Sequence, residues 1–197
     1  MNPLIVGEGL VVDVPAKRVL DGITIGLGEG DRVGVVGRNG DGKSTLLAAL
    51  ARRRELDDGR VTWRRDLRVG FLDQADVLPD DATVGILVAG DRADHEWAGD
   101  ARIRDIVDGL LGDIGWHATV GSLSGGQRRR TALAALLAGE WDVLFLDEPN
   151  NSMGCSFRTP RFYRRGRATS RPDTRRRARG RRSVVPCRTV PVGRGGR

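Results

Sequence analysis

Nine consecutive residues, Gly37-Arg38-Asn39-Gly40-Asp41-Gly42-Lys43-Ser44-Thr45, constrain this chain more than any other stretch. They follow a short apolar run, Val33 to Val36, and open into Leu46 to Ala51, rich in leucine and alanine. A glycine, four residues and then Gly-Lys-Ser, set between a strand and a helix, is the phosphate-loop pattern. Glycines let successive backbone N–H groups converge on a phosphate without a Cβ in the way. The helix that follows adds the positive end of its dipole. In such a loop Lys43 reaches the outer phosphates of a nucleotide, and the Ser44 hydroxyl holds Mg²⁺. Any one of these residues could belong to a glycine-rich turn that merely caps a helix. The whole pattern points to nucleotide binding.

The 197 residues are enough for about one domain with a real core. Met1 to Glu8 has no basic start and no long apolar run, so no signal peptide is expected. No stretch is apolar for long enough to cross a bilayer. No cysteine precedes Cys155, which argues against a disulfide framework or a zinc site in the body. A cytoplasmic protein is the expectation. The net charge of +7 is unevenly spread: residues 152–197 carry 15 arginines against the single acid Asp173, so residues 1–151 are net acidic. Such asymmetry can mark a basic tail for nucleic acid.

From Leu10 to Val14 and Val19 to Leu27 the chain is β-branched and partly alternating, which predicts strands. Arg32 to Val36 reads as a buried strand feeding the phosphate loop. Gly59 to Arg64 and Leu67 to Leu72 read as two more strands. Asp80-Asp81 looks like a helix start before Ala82 to Val88. The spacing of Ile103, Ile106, Val107, Leu110, Leu111 and Ile114 predicts a helix over about 102–114 with one apolar face. A further helix is expected over about 126–137, and a strand over Asp142 to Asp147.

Three other features carry chemistry. Leu123-Ser124-Gly125-Gly126-Gln127 opens a helix and is a second glycine-supported N-terminus suited to an anion. The apolar strand Val143 to Leu146 delivers Asp147 and Glu148 at its end; the first acid can support Mg²⁺ and the second can position an attacking water. Gln74 follows the strand ending at Leu72, where it could sense Mg²⁺ or the γ-phosphate. Each also has a plain structural reading: a capped helix, a solvated strand end, a surface glutamine. The remaining features take the plain reading. Arg128-Arg129-Arg130 reads as a solvated helix face, and Arg52-Arg53-Arg54 as cations near a helix C-terminus, where they suit the dipole. The four tryptophans are expected in core or edge packing, and His95 and His117 as structural.

The set Gly37–Thr45, Gln74, Leu123–Gln127 and Leu146-Asp147-Glu148-Pro149 resembles the nucleotide-binding domain of ATP-binding-cassette (ABC) proteins, over about residues 4–151. Within that family, Gly-Arg-Asn-Gly-Asp-Gly-Lys-Ser-Thr and Asp-Glu-Pro-Asn-Asn look like the ABC-F branch. The resemblance implies an α/β fold: a P-loop NTPase core, an N-terminal antiparallel β flank and a small helical subdomain at about 76–140. It implies ATP and Mg²⁺ as cofactors. Gly37, Asn39, Gly40, Gly42, Lys43, Ser44 and Thr45 would form the phosphate site. Ser44, Gln74 and Asp147 would serve the metal, and Glu148 with Gln74 would serve catalysis. Ser124, Gly125, Gly126 and Gln127 would face the γ-phosphate held by a second ABC domain. The branch implies work on the ribosome and its RNA. Two alternatives are the ATP-binding subunit of a membrane transporter and a non-catalytic RNA-binding or vestigial fragment.

The sequence departs from the family in two places. The position of the adenine-stacking aromatic falls at Val14, and no Phe, Tyr or Trp precedes the phosphate loop. After Asn151 the family pattern would continue His-Leu-Asp, then a helix, a strand and a switch histidine. This chain reads Ser152-Met153-Gly154-Cys155 and continues into Arg/Pro/Gly/Ser sequence without Leu, Ile, Glu, Lys or His. The expectation is an incomplete domain over 1–151 and a disordered basic C-terminal tail over 152–197, read as out-of-frame sequence ahead of an RNA-binding arm. If the frame has shifted, another frame downstream of codon 151 will encode His-Leu-Asp, a helix and a later histidine. An open alternative frame without that pattern, read from the DNA, would count for a real basic arm.

Overall fold

A computed structural model of the chain describes residues 3–15, 17–73, 78–92, 94–147 and 188–191. The N-terminal third is an antiparallel flank. Strand β1 (Pro3–Val14) lies between β2 (Lys17–Gly28) and β4 (Asp58–Trp63), in the order β2-β1-β4. The β1–β2 hairpin pairs Ile5 with Leu27, Leu10 with Ile23 and Val14 with Lys17, while β4 sets Trp63 opposite Ile5. Both hairpin strands are longer than the apolar runs suggest, because backbone pairing carries across the intervening polar residues. The inward residues Ile5, Leu10, Val12 and Leu20 are fully buried. Against them packs helix α1 (Lys43–Leu50), through Leu46, Ala49 and Leu50.

The parallel part of the fold falls into two ladders. Strand β3 (Val33–Val36), which leads into the phosphate loop, pairs with β7 (Arg188–Pro191) from Val33↔Arg188 to Val36↔Pro191. Strand β5 (Val69–Leu72) pairs with β6 (Val143–Leu146), Leu72 opposite Leu146. Parallel pairing at this separation needs a long crossover, and the crossover here is the helical subdomain. The segments over 58–63 and 69–72 therefore belong to different sheets. Two expectations change. The phosphate-loop strand is only half-buried, with Val36 exposed, since among the described residues it has a strand neighbour in β7 alone. And Arg188–Pro191, inside the stretch read as a disordered tail, form a strand; the rest of 152–197 lies outside the described residues, as do Gln74 and Glu148.

The helical subdomain comprises α2 (Val84–Ala89), α3 (Asp94–Gly99), α4 (Ala101–Leu110), a 3₁₀ turn (Val120–Ser122) and α5 (Gly125–Ala138). Thr83 caps α2, and the Asp100 carboxylate accepts the Arg102 N–H at 2.9 Å to cap α4. The apolar face of α4 is buried at Ile103, Ile106 and Leu110. The helix stops at Leu110, earlier than its periodicity suggests: Gly109 and Gly112 weaken it, and Ile114 N–H turns back to the Leu111 carbonyl at 2.8 Å. These residues join Leu72, Val84, Val88, Leu133 and Ala134 in a second core, distinct from that under the β flank. Trp97 and Trp116 stack on each other at 4.2 Å beside it. Trp63 and Trp141 donate their indole N–H to Leu50 and Leu136 carbonyls, in keeping with the packing roles expected of them.

Ile103, 1 % exposed, is central to this second core. Replacing it with alanine is expected to cost about 2–5 kcal/mol through lost burial and a residual cavity, measured by urea unfolding. A change below about 0.5 kcal/mol would show that the subdomain core is not closed as described.

Candidate nucleotide site

The phosphate loop is built from backbone conformations that only glycine adopts freely. Gly40 and Gly42 have φ of 83° and 97°. At Gly42 there is also no room: a Cβ would lie 2.5 Å from Val19 Cγ1 and 3.0 Å from the Val19 carbonyl. Strand β2 thus presses on the loop where the helix begins, and Leu46 N–H takes up the Gly42 carbonyl at 2.8 Å. The Asp41 carboxylate accepts the Arg38 N–H at 2.7 Å, closing a turn inside the loop. Lys17, at the tip of the β1–β2 hairpin, donates to the Gly40 carbonyl at 3.0 Å. The Lys43 ammonium is folded against the loop, donating to the Gly37 and Arg38 carbonyls at 3.1 and 3.0 Å. Ser44 is exposed beside it, at the helix start. Val14, the position expected to lack a stacking aromatic, is half-buried next to the hairpin tip.

Ser124 and Gln127 form a capping box: the Gln127 N–H donates to Ser124 Oγ at 3.4 Å, and the Ser124 N–H donates to Gln127 Oε1 at 3.0 Å. The plain reading of a capped helix is therefore realised. Gly125 adds something more. Its φ is not left-handed and a Cβ there would meet nothing within 4 Å, so packing within this chain does not require a glycine. A bare, exposed helix start suits the close approach of another molecule.

Asp147 directly follows β6 and is buried at 5 % exposure, its N–H donating to the Leu72 carbonyl at 3.1 Å. A neighbour absent from the sequence reading holds this region. Arg129, expected on a solvated face, is buried; its guanidinium donates to the Asp147 carbonyl at 2.7 Å and to the Asp73 carbonyl. One cation on α5 thus gathers the C-terminal ends of β5 and β6, where Gln74 and Glu148 follow in sequence. Its neighbours also depart from the solvated reading. Arg128 donates to Asp80, and Arg130 makes a two-pronged bridge to Asp113 at 2.6 and 2.7 Å. Hydrogen bonding to Arg130 holds the Asp113 carboxyl below the usual carboxylate range. That link is in place at neutral pH and is lost as pH falls through the lowered value. Nothing in three adjacent arginines tells a single-sequence reading which one turns inward.

The donor chemistry fits Mg²⁺. An exposed serine hydroxyl at the phosphate loop and a buried carboxylate are hard oxygen ligands, and Mg²⁺ takes one or two such groups together with substrate phosphates. No cluster of three or more His, Cys, Asp or Glu occurs among the described residues. Gln74 and Glu148 lie outside the described residues.

Arg129→Met should leave two strand-end carbonyls without their donor, at about 1–3 kcal/mol each. Arg128→Met, which loses a pair with the exposed Asp80 and one bond to the Val120 carbonyl, should cost less than Arg129→Met. Urea unfolding of both variants checks this ranking, and equal costs would refute the inward role of Arg129.

The family described as ABC transporter matches residues 20–151. Among relatives, an uncharacterized ABC transporter ATP-binding protein, YfmM of Bacillus subtilis, is 30 % identical over 68 % of this chain and 34 % of its own length. The zinc import ATP-binding protein ZnuC of Mannheimia succiniciproducens is 32 % identical over 78 % of this chain and 58 % of its own. The ATP-binding protein Uup of Caulobacter vibrioides is 37 % identical over 70 % of this chain and 22 % of its own. The chain thus spans less than two thirds of each. A bacterial Atm1-family ABC exporter solved with ATP bound superposes with a TM-score of 0.64 at 25 % identity, covering 77 % of this chain and 30 % of that one. With its phosphate loop, capped Leu-Ser-Gly-Gly-Gln helix and buried strand-end aspartate in one P-loop α/β fold, this chain belongs to the ABC transporter family of ATP-binding domains.

Proposed function

We propose that this chain is the ATP-binding and ATP-hydrolysing domain of an ABC-F-like protein that acts on the ribosome in translation, and that it works opposite a second ABC domain. The observation that carries the composite site is the start of α5. Ser124 and Gln127 hold each other in a capping box while Gly125 stands bare toward solvent. Such an end offers backbone N–H groups and a positive dipole end to a phosphate brought by another domain. In this reading Gly37, Asn39, Gly40, Gly42, Lys43, Ser44 and Thr45 cradle the phosphates. Ser44, Gln74 and Asp147 hold Mg²⁺, which when bound neutralises charge on the phosphate oxygens. Glu148 accepts a proton from the attacking water, and Arg129 keeps the strand ends that precede Gln74 and Glu148 at a common level.

Support for the ABC-F branch is the Asp147-Glu148-Pro149-Asn150-Asn151 sequence and the similarity to Uup, an ABC-F protein. A transporter subunit is the second reading, favoured by the similarity to a zinc import protein. No helix among the described residues is long and apolar enough to cross a membrane. Co-sedimentation of the tagged chain with ribosomes supports the first reading. Co-purification with a membrane-spanning protein, and none with ribosomes, overturns it.

Lys43→Ala should weaken Mg-ATP binding about tenfold or more, because it removes a charge-assisted contact to phosphate. Equal affinities by calorimetry would sink the phosphate-loop assignment. The isolated chain should turn over near background, since β3 and β6 belong to separate ladders among the described residues and Ser124 has no facing domain; each displaced group costs about 10²–10³ in rate. Robust phosphate release abolished by Glu148→Gln would show that one chain suffices.

A further inference from the structure

We propose that the far end of α1 carries a second ligand site, for single-stranded nucleic acid, formed by Arg52, Arg53 and Arg54. The phosphate loop lies at one end of this eight-residue helix and these arginines at the other, about 12 Å away by helical rise. The helix closes there with Arg53 N–H on the Ala48 carbonyl at 2.8 Å and Arg52 N–H on the Ala49 carbonyl at 3.0 Å. Arg52 occupies the left-handed position, φ 55°, where glycine would be unstrained.

Two of the side chains are already arranged. Arg52 donates to the Val61 carbonyl at 3.0 Å and lies over the Trp63 ring at 4.8 Å, while Arg53 lies over the Phe71 ring at 4.5 Å. Stacking fixes these planar heads before a ligand arrives, so less conformational freedom is lost on binding. None of the three arginines is ion-paired among the described residues, unlike Arg18, Arg60, Arg68, Arg128 and Arg130. The Arg52 head bonds a strand carbonyl, and all three arginines follow the C-cap of α1, where cations also suit the helix dipole.

They line an open depression of about 610 Å³, whose apolar lining is Ala49, Leu56 and Val61. That volume is in the range of small-molecule sites and far exceeds a phosphate ion. Guanidiniums on the rim match phosphate oxygens, and the apolar lining can take a base or sugar. A duplex would keep its bases stacked and leave that lining bare, whereas a single strand can turn a nucleotide onto it. Glu55 is the one carboxylate on the lining and opposes the ligand's charge.

The inference does not rest on the ribosomal reading, and its test uses a free oligonucleotide. A fluorescent twelve-nucleotide RNA carrying 4-thiouridine is titrated with the full chain in the presence of Mg-ATP. The Arg53→Ala/Arg54→Ala variant should bind about tenfold more weakly, with a salt slope lower by about one to two, and keep its ATP affinity. Glu55→Gln should bind more tightly, and Lys43→Ala should lose ATP but not RNA. Photo-cross-links should map to the peptide containing residues 52–56. Unchanged RNA affinity in the double variant, or cross-links confined to residues 152–197 with their 15 arginines, would overturn the proposal. Displacement by inorganic phosphate at the oligonucleotide's own concentration would do so too, by showing a simple anion site.

Discussion

A buried guanidinium holds the ends of two parallel strands together. Removing a cation from water is costly unless its donors are met, and Arg129 meets that demand at the carbonyls of Asp73 and Asp147. Both acceptors stand at the ends of neighbouring parallel strands. Helix α5 can therefore dock in only one register: a shift along the strands would bury the charge without partners. Through this contact the helix that begins at Ser124 is tied to the strand end bearing Asp147. Arg102 adds a second tie from α4, donating to the Leu137 and Gly139 carbonyls at the other end of α5, where a cation also complements the helix dipole.

The nucleotide-facing half depends on close approach instead. Gly42 is where β2 and the phosphate loop touch, and the missing side chain there brings the N-terminal sheet against the start of α1. The β flank is thereby part of the loop's support. Leu46 and Leu50 lie in the same core as Leu10 and Leu20, so packing under the sheet and the set of the loop are one arrangement. The two halves share the same logic of parallel strands delivering polar residues at their C-terminal ends.

Much of the site was legible because its pieces are short and contiguous. A left-handed glycine before a lysine, a serine three residues before a glutamine, and an apolar tetrapeptide before an aspartate each encode their own local geometry. Helices expected over about 82–88, 102–114 and 126–137 are found at 84–89, 101–110 and 125–138, the first capped by Thr83 rather than started at Asp80-Asp81. Pairing was less legible. The segments at 58–63 and 69–72 look alike as β-prone runs, yet one joins the flank and the other the parallel ladder, 74 residues from its partner strand. The tail offered no apolar periodicity, and the strand at Arg188–Pro191 arises from backbone pairing with Val33–Val36 rather than from any pattern of its own.

By itself the sequence determined the chemistry on offer: a phosphate loop, a capped signature helix, an acidic strand end and a charge distribution split at residue 151. Those properties reside in neighbouring residues and their backbone preferences. Only the tertiary structure decided which charges are used and how. Arg128, Arg129 and Arg130 are identical in sequence terms, but the helix turns them about 100° apart, so one is buried between strand ends and two reach surface carboxylates. Arg52, Arg53 and Arg54 are likewise separated by a helix end that places two of them on aromatic rings from β4 and β5. The direction of a side chain relative to distant strands is a property of packing, and contacts made across 56 residues are not written in any local window.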